Sequence, residues 1–215
     1  MSFSHRADGM RVWLITGADQ GPGAAIAFSA LKSGDTVLAS ASDVDALHRR
    51  HGPHPGLHPV PVAALTGSRA SGAVARAVEP LDRVDVLVNA AALMRPGHPD
   101  AVGSSQGMPE LNLGSCETLL RMLASTRAVL PQMRQRRFGR VVNLLPACGR
   151  ALGVGSELAA TRFAVEAISD TVNREMSAWC IRAMTVEGAQ FDVQPAGNAA
   201  PREDVEATRS VQEVL

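Results

Sequence analysis

The stretch TGADQGPGAAIAFSAL, residues 16–31, decides the fold. It continues a short apolar run rich in strand-forming residues at 11–16, and it leads into a helix of small residues at 24–34 that stops at Gly34. A strand, a tight glycine turn and a helix in this order point backbone N–H groups at one spot, a common way of holding nucleotide phosphates. Pro22 lies in the middle of the predicted turn, and proline has no N–H to contribute.

Strands and helices alternate along the rest of the chain. Further strands are predicted at 35–40, 57–62, 84–90, 140–145 and 181–187. Helices are predicted at 43–50, 68–80, 111–137 and 156–176, with a surface loop at 91–110. Continuous apolar strands are typical of a parallel sheet that is buried on both faces. The sequence therefore predicts an α/β fold, a Rossmann-like doubly wound parallel sheet in a three-layer α/β/α sandwich.

Composition limits the size and the partners of this fold. A chain of 215 residues with 46% hydrophobic residues suits a single domain over 1–215, with an irregular or helical tail from about 188. The formal net charge is zero, which argues against nucleic acid and acidic membrane surfaces as partners. With no apolar signal or membrane-spanning segment, we expect a soluble cytoplasmic protein.

The cysteines and histidines do not predict a metal site. Cys116, Cys148 and Cys180 lack the spacing of zinc ligands or of a disulfide framework, and we expect them to be buried thiols. Four histidines in the proline-broken segment 48–59 are expected to lie in a solvated loop. The basic run at 134–140 ends a helix, where cations are favourable without any partner.

Six motifs in the same order resemble the short-chain dehydrogenase/reductase (SDR) family over nearly the whole chain. They are the T-G-x-x-x-G-x-G pattern at 16–23, DVLVN at 85–89, LNLG at 111–114, TRAVLPQM at 126–133, GRVVNL at 139–144 and RFAVEAISDTVNREM at 162–176. The resemblance implies hydride transfer between a nicotinamide and a carbonyl or alcohol, with a serine, a tyrosine and a lysine as the catalytic residues.

The positions that match those catalytic residues carry other side chains. The tyrosine position is Leu158, the lysine position is Arg162, and the serine position falls on Pro146 or Leu145. The chain contains no tyrosine, and Lys32 is its single lysine. Leucine and proline have no proton to transfer, and arginine stays charged up to a pH of about 12. Standard dehydrogenase or reductase activity is therefore not expected.

Three polar residues are candidates for chemistry in the cleft that the resemblance implies. Asn112 matches the asparagine of the family's long helix, where bracing the helix is an equally good explanation. Arg162 could bind an anionic or carbonyl oxygen, or could form an ordinary salt bridge. Glu187 could act as a general base if it is desolvated, and Glu157, Cys148 and His98 are weaker candidates of the same kind.

The cofactor positions are also altered. The resemblance assigns phosphate and nicotinamide contacts to a set of residues around the turn: Thr16, Gly17, Gln20, Gly21, Gly23 and Asn89. Ala41 and Ser42 stand where the family places the acid or arginine that recognises the cofactor's ribose, and Ala64 stands at the adenine position. The glycines also have a structural explanation, since the turn and the close packing of helix on sheet require them. We expect no NAD(P) cofactor, or weak NAD(P) binding.

Three functions remain open. The first is a non-redox step, such as cyclisation, isomerisation or elimination, on a small molecule bound in the cleft. The second is an inactive accessory subunit, and the third is an NAD(P)-dependent oxidoreductase with a different proton donor. In this family the helices matching 111–137 and 156–176 pair across a two-fold axis, so we also expect a homodimer.

Overall fold

The computed structural model describes residues 9–41, 43–61, 72, 76, 79–81, 83–90, 113–146 and 156–188. These ranges contain six strands: β1 Val12–Thr16, β2 Thr36–Ala41, β3 Leu57–Pro61, β4 Val86–Asn89, β5 Gly139–Pro146 and β6 Ile181–Gly188. They also contain four complete α-helices: α1 Gly21–Lys32, α2 Val44–His51, α3 Leu113–Arg136 and α4 Ser156–Met176. Within the predicted helix at 68–80, Gly72 and Arg76 are helical, and a 3₁₀ turn follows at Glu79–Leu81. The predicted loop at 91–110 and the tail beyond 188 lie outside the described residues.

The strands form one parallel sheet in the order β3-β2-β1-β4-β5-β6. The predicted Rossmann-like doubly wound fold is confirmed. The chain reverses its direction of winding between β1 and β4, and ligands of such sheets bind outside the carboxyl ends of the strands at this switch point. The turn after β1, which contains the glycine pattern, therefore lies where a ligand is expected.

Apolar clusters cover both faces of the sheet. On one face, α1 and α2 pack side chains such as Ile26 and Leu47 onto the central strands. On the other face, α3 and α4 do the same with Val129, Met133 and Val172. The central strands are buried on both sides, which explains why they contain continuous apolar runs rather than a regular alternation of apolar and polar residues.

Two buried aspartates hold the amino ends of the strands together. The Asp35 carboxylate accepts hydrogen bonds from the backbone N–H of Arg11 and from the indole Nε1 of Trp13, both at 2.8 Å. The Asp85 carboxylate accepts one from the N–H of Val12 at 2.8 Å and forms an ion pair with Arg83 at 2.8 Å. These contacts fix the edge of the sheet opposite to the glycine turn.

Among the described strands, β6 lies at one end of the sheet, and its outer side is capped by a side chain from α4. The N–H of Arg140 donates to the backbone carbonyl of Asp85, just before β4, so the peptide groups of Val141 face β6 and those of its partner Ala183 face away from β5. The Asn173 carboxamide accepts from the Ala183 N–H and donates to the Ala183 carbonyl, both at 2.8 Å. Asn173 thus bonds to β6 as a neighbouring strand would.

Two local expectations are wrong. Cys180 is exposed rather than buried, because it ends the 3₁₀ turn Ser177–Trp179 with left-handed backbone geometry (φ 57°) on the surface. The segment 48–59 is not a continuous loop, since His48 and His51 belong to α2 and His58 belongs to β3. The side chain of Cys116 and all of Cys148 lie outside the described residues.

No helix in the described part of the chain is long and apolar enough to cross a membrane.

Candidate functional site

The glycine turn between β1 and α1 is shorter than the sequence predicts. Helix α1 begins at Gly21 rather than at residue 24, so Pro22 lies in the first helical turn, where proline is well tolerated. Gly17 and Gly21 have positive φ angles of 66° and 52°. A Cβ on Gly23 would lie 2.3 Å from the Gly17 carbonyl oxygen, so only glycine fits there. The fold itself therefore requires these glycines, with or without a ligand.

The same turn is fastened to the β2–α2 unit by three hydrogen bonds. The Ala18 N–H donates to the Ser40 carbonyl at 3.0 Å, and the Asp19 carboxylate accepts from the Asp43 N–H at 3.3 Å. His51, at the end of α2, lies with its Nε2 3.0 Å from the Ala18 carbonyl oxygen. These contacts lie on the β2 side of the turn.

A row of polar residues crosses the sheet one layer below its carboxyl edge. In the strand register, Ser40, Thr16, Asn89, Asn143 and Thr185 are direct neighbours on β2, β1, β4, β5 and β6. All but Thr185 are buried, and Thr185 is partly buried. We call these five residues the polar row.

Hydrogen bonds connect most of the polar row to the helices α3 and α4. Ser125 on α3 donates to the Asn89 side-chain oxygen at 2.8 Å, and the Asn89 amide donates to Asn143 at 2.8 Å. The Asn143 amide donates to the Ser169 hydroxyl on α4 at 2.9 Å, and that hydroxyl lies 3.3 Å from Thr185. Both polar atoms of each asparagine side chain are therefore engaged within the protein.

Above the polar row, Arg162 and Glu187 meet at the carboxyl edge of the sheet. Arg162 lies near the start of α4 and Glu187 near the end of β6, and the Arg162 Nη2 forms a short ion pair with the Glu187 carboxylate. Glu166, one helical turn after Arg162, accepts from the Arg162 Nε at 3.1 Å. The three side chains are 23%, 45% and 40% exposed, so solvent reaches all of them.

The two carboxylates keep the guanidinium charged. Burial alone would lower the pKa of Arg162, but the charges and hydrogen bonds of Glu187 and Glu166 raise it by more, and the net shift is upward. Arg162 is thus a permanent cation with two anionic neighbours.

Comparison with known proteins identifies the family. Residues 11–204 match the short chain dehydrogenase family. This chain belongs to the short-chain dehydrogenase/reductase family. Among its relatives is an uncharacterized oxidoreductase of Staphylococcus haemolyticus, 28% identical over 187 residues that cover 85% of this chain and 78% of the relative.

Solved structures of the family share this fold. A short-chain dehydrogenase from Streptomyces avermitilis aligns with a TM-score of 0.76 and 29% identity, over 96% of this chain and 78% of its own. A short chain dehydrogenase from Burkholderia cenocepacia, solved in complex with NADP, aligns with a TM-score of 0.73 and 22% identity, over 94% and 84% of the two chains.

In this short-chain dehydrogenase/reductase, the structure brings together two of the three candidate catalytic residues. Arg162 and Glu187 form one ion pair, whereas Asn112 lies outside the described residues. The backbone at Leu158 lies in α4, one turn before Arg162, but its side chain is outside the described part of the structure, as are the side chains of Pro146 and Glu157. His98 and Ala64 also lie outside.

The residues around the glycine turn are a poor fit for a tightly held NAD(P). Pro22 removes one N–H from the first turn of α1, and the side chain of Gln20 does not cap this helix. Ala41 is buried at the end of β2 and offers no polar group to a ribose. The Thr16 hydroxyl accepts a hydrogen bond from the Ala90 N–H at 2.9 Å, and the Asn89 amide donates one to Asn143 at 2.8 Å. Both side chains are therefore already hydrogen-bonded within the protein. Absent or weak NAD(P) binding stays a prediction.

Ser40, Asn143 and Thr185 of the polar row, and Glu166, are not among the site residues that the sequence predicts. A signal was present, since Ser40, Asn89 and Asn143 are isolated polar residues near the ends of apolar strands. Their partners Ser125 and Ser169 could not be found this way, because they come from helices 36 and 26 residues away in sequence from the asparagines they contact.

Proposed function

We propose that this chain is an SDR-fold protein that has lost hydride transfer and binds a small molecule at the carboxyl edge of its sheet for a non-redox step. The observation that carries the proposal is the Arg162–Glu187 pair, which joins a permanent cation to a carboxylate where the family has its catalytic lysine. Cyclisation, isomerisation and elimination all need charge stabilisation and proton transfer, and none of them needs a nicotinamide.

The pair can supply both requirements. The guanidinium of Arg162 can stabilise negative charge that develops on a carbonyl oxygen of the substrate. The Glu187 carboxylate is 45% exposed and so is not desolvated as the sequence analysis required of a general base. Its position beside the guanidinium still allows it to accept a proton from the carbon next to that carbonyl and to return it at another position. The chain has no tyrosine, and its single lysine, Lys32, is exposed at the end of α1.

A nucleotide titration tests the proposal. We expect NADH and NADPH to give no saturable change in nicotinamide fluorescence at micromolar protein. Replacing Pro22 with alanine restores one N–H and should strengthen any residual binding by about tenfold or more, since a hydrogen bond to a charged group is worth about 1.5–3 kcal/mol. Tight, stoichiometric binding by the wild type together with interconversion of an alcohol and its ketone would instead favour an oxidoreductase with a different proton donor.

A second candidate is an inactive accessory subunit. The observation in its favour is that Leu120 on α3 and Phe163 on α4 are 64% and 69% exposed, so both helices present large apolar side chains outward. Binding of small molecules that is lost in the Arg162→Gln variant supports the non-redox enzyme. A wild type that binds no small molecule at millimolar concentration supports the accessory subunit.

A further inference from the structure

Glu187 and Glu166 hold Arg162 in different ways. Glu166 lies one turn along the same helix and contacts Nε, so the helix itself fixes this contact. Glu187 comes from the end of β6, 25 residues further along the chain, and contacts Nη2. Among the described residues, Glu187 has no second partner that would hold its carboxylate in place.

The guanidinium has donors left over. An arginine carries five N–H donors in a planar fork that matches a carboxylate with two parallel hydrogen bonds. Glu166 and Glu187 contact Nε and Nη2, and Nη1 has no partner among the described residues. The end of the fork that comprises Nη1 and Nη2 is therefore suited to a second carboxylate.

The charges around Arg162 decide whether the carboxylate of a ligand joins Glu166 and Glu187 or replaces one of them. One guanidinium with two carboxylates already has a local net charge of −1. A third carboxylate would add repulsion, whereas an exchange with Glu187 leaves the charge unchanged. Glu187 is the exchangeable partner because it is nearly half exposed and is attached to another element. Arg162, at 23% exposed, is accessible to the incoming group.

We infer that this site binds small carboxylic acids. In the free protein Glu187 occupies the position on Arg162 that the carboxylate of the ligand takes, and the ligand displaces Glu187 when it binds. This inference rests on the proposed function and names its substrate class.

The test is a binding titration with benzoate and 2-oxobutyrate, using methyl benzoate as the neutral analogue. The chemical shift of the Arg162 Nε–H reports binding, and its signal is assigned by its loss in Arg162→Lys. Glu187→Gln removes the competing carboxylate and should strengthen binding of both acids by roughly three- to tenfold. Glu175→Gln, which changes the net charge equally at an exposed position on the same helix, should leave the affinity within about twofold.

The two proposals fail differently in this experiment. Equal affinities in Glu187→Gln and Glu175→Gln, or a wild type that binds methyl benzoate as well as benzoate, would overturn the exchange. In the second case the cleft still binds small molecules, so the non-redox proposal survives. Arg162→Gln lacks the Nε–H signal, so its binding of benzoate and 2-oxobutyrate is measured by titration calorimetry instead. This variant should lose carboxylate binding, and undiminished binding would overturn the exchange even if a small loss of stability accompanies the substitution.

Discussion

At the scale of single residues, His51 connects the end of α2 to the glycine turn. Its Nε2 lies 3.0 Å from the Ala18 carbonyl, and since a carbonyl only accepts, Nε2 carries the hydrogen. Nδ1 is buried without a partner among the described residues. Burial lowers the pKa of His51 and the nearby Arg50 adds to this, while the bond to Ala18 acts in the opposite direction. Protonation of the folded protein at Nδ1 is therefore unfavourable.

We predict that His51 makes the protein less stable as the pH falls below about 6.5. The unfolded chain takes up this proton near pH 6.5, whereas the folded chain takes it up only at lower pH. Between these two values the unfolded state binds more protons, so the free energy of unfolding decreases by at most about 1.4 kcal/mol per pH unit. His51→Gln keeps an N–H donor and does not titrate, and it should remove this part of the pH dependence.

Urea denaturation at several pH values between 5 and 8 measures the effect, with His58→Gln, which replaces an exposed histidine of β3, as the control. Wild type and His51→Gln curves that stay parallel over this range would show that His51 does not contribute.

The residues of this site can be predicted from the sequence more readily than the contacts between them. The position of Arg162 follows from its spacing in the family motif, but its partner Glu187 is set by the register of α4 on β6. The link between Asn89 and Asn143 spans 54 residues and depends on which strands are neighbours. A local motif is enough to predict which residues belong to the site. Their contacts with distant elements cannot be predicted in this way, because those contacts depend on the order of the strands.

At the scale of elements, Asn173 protects the outer side of β6, which is the last strand of the sheet among the described residues. An unpaired edge exposes peptide groups that can pair with another strand, and proteins commonly protect such edges. The Asn173 carboxamide occupies both peptide groups of Ala183, so a further strand cannot pair at that residue while the contact is intact.

We predict that Asn173→Ala opens this edge. The Ala183 amide, protected by the Asn173 oxygen, should exchange with solvent much faster, and the free energy of unfolding should fall by about 1–2 kcal/mol. Hydrogen exchange measured by NMR tests the first effect and urea denaturation the second, with Arg174→Ala on the exposed side of α4 as the matched control. An Ala183 amide that remains protected in Asn173→Ala would mean that something else covers the edge.

The limits of two helices could be predicted from the sequence. Helix α4 was predicted at its observed limits, Ser156–Met176, and α2 follows the Asp43 cap, whose carboxylate accepts from the Ala46 N–H at 2.9 Å. The sequence predicts the start of α1 three residues too late, because Pro22 suits a turn. Proline fits the first helical turn as well as a loop, so its presence alone could not decide between them.

At the scale of the whole molecule, the homodimer expected from the family resemblance remains a proposal. Leu120 on α3 and Phe163 on α4 are the most exposed large apolar side chains among the described residues, and these two helices pack against each other. In a two-fold dimer each protomer would contribute both side chains to one interface, and burying each is worth about 1.5–3 kcal/mol. Such anchors commonly dominate the affinity of an interface.

We predict that the wild type is a dimer at micromolar concentration and that Leu120→Glu combined with Phe163→Glu makes it a monomer. Each substitution acts twice in a two-fold interface, so the dissociation constant should rise by more than about a hundredfold. Size-exclusion chromatography with light scattering measures the mass, and Val44→Glu, at an exposed apolar position on α2, is the control that should remain dimeric. If the wild type is a monomer, or if the dimer survives the double substitution, then α3 and α4 do not form an interface between two copies of this chain.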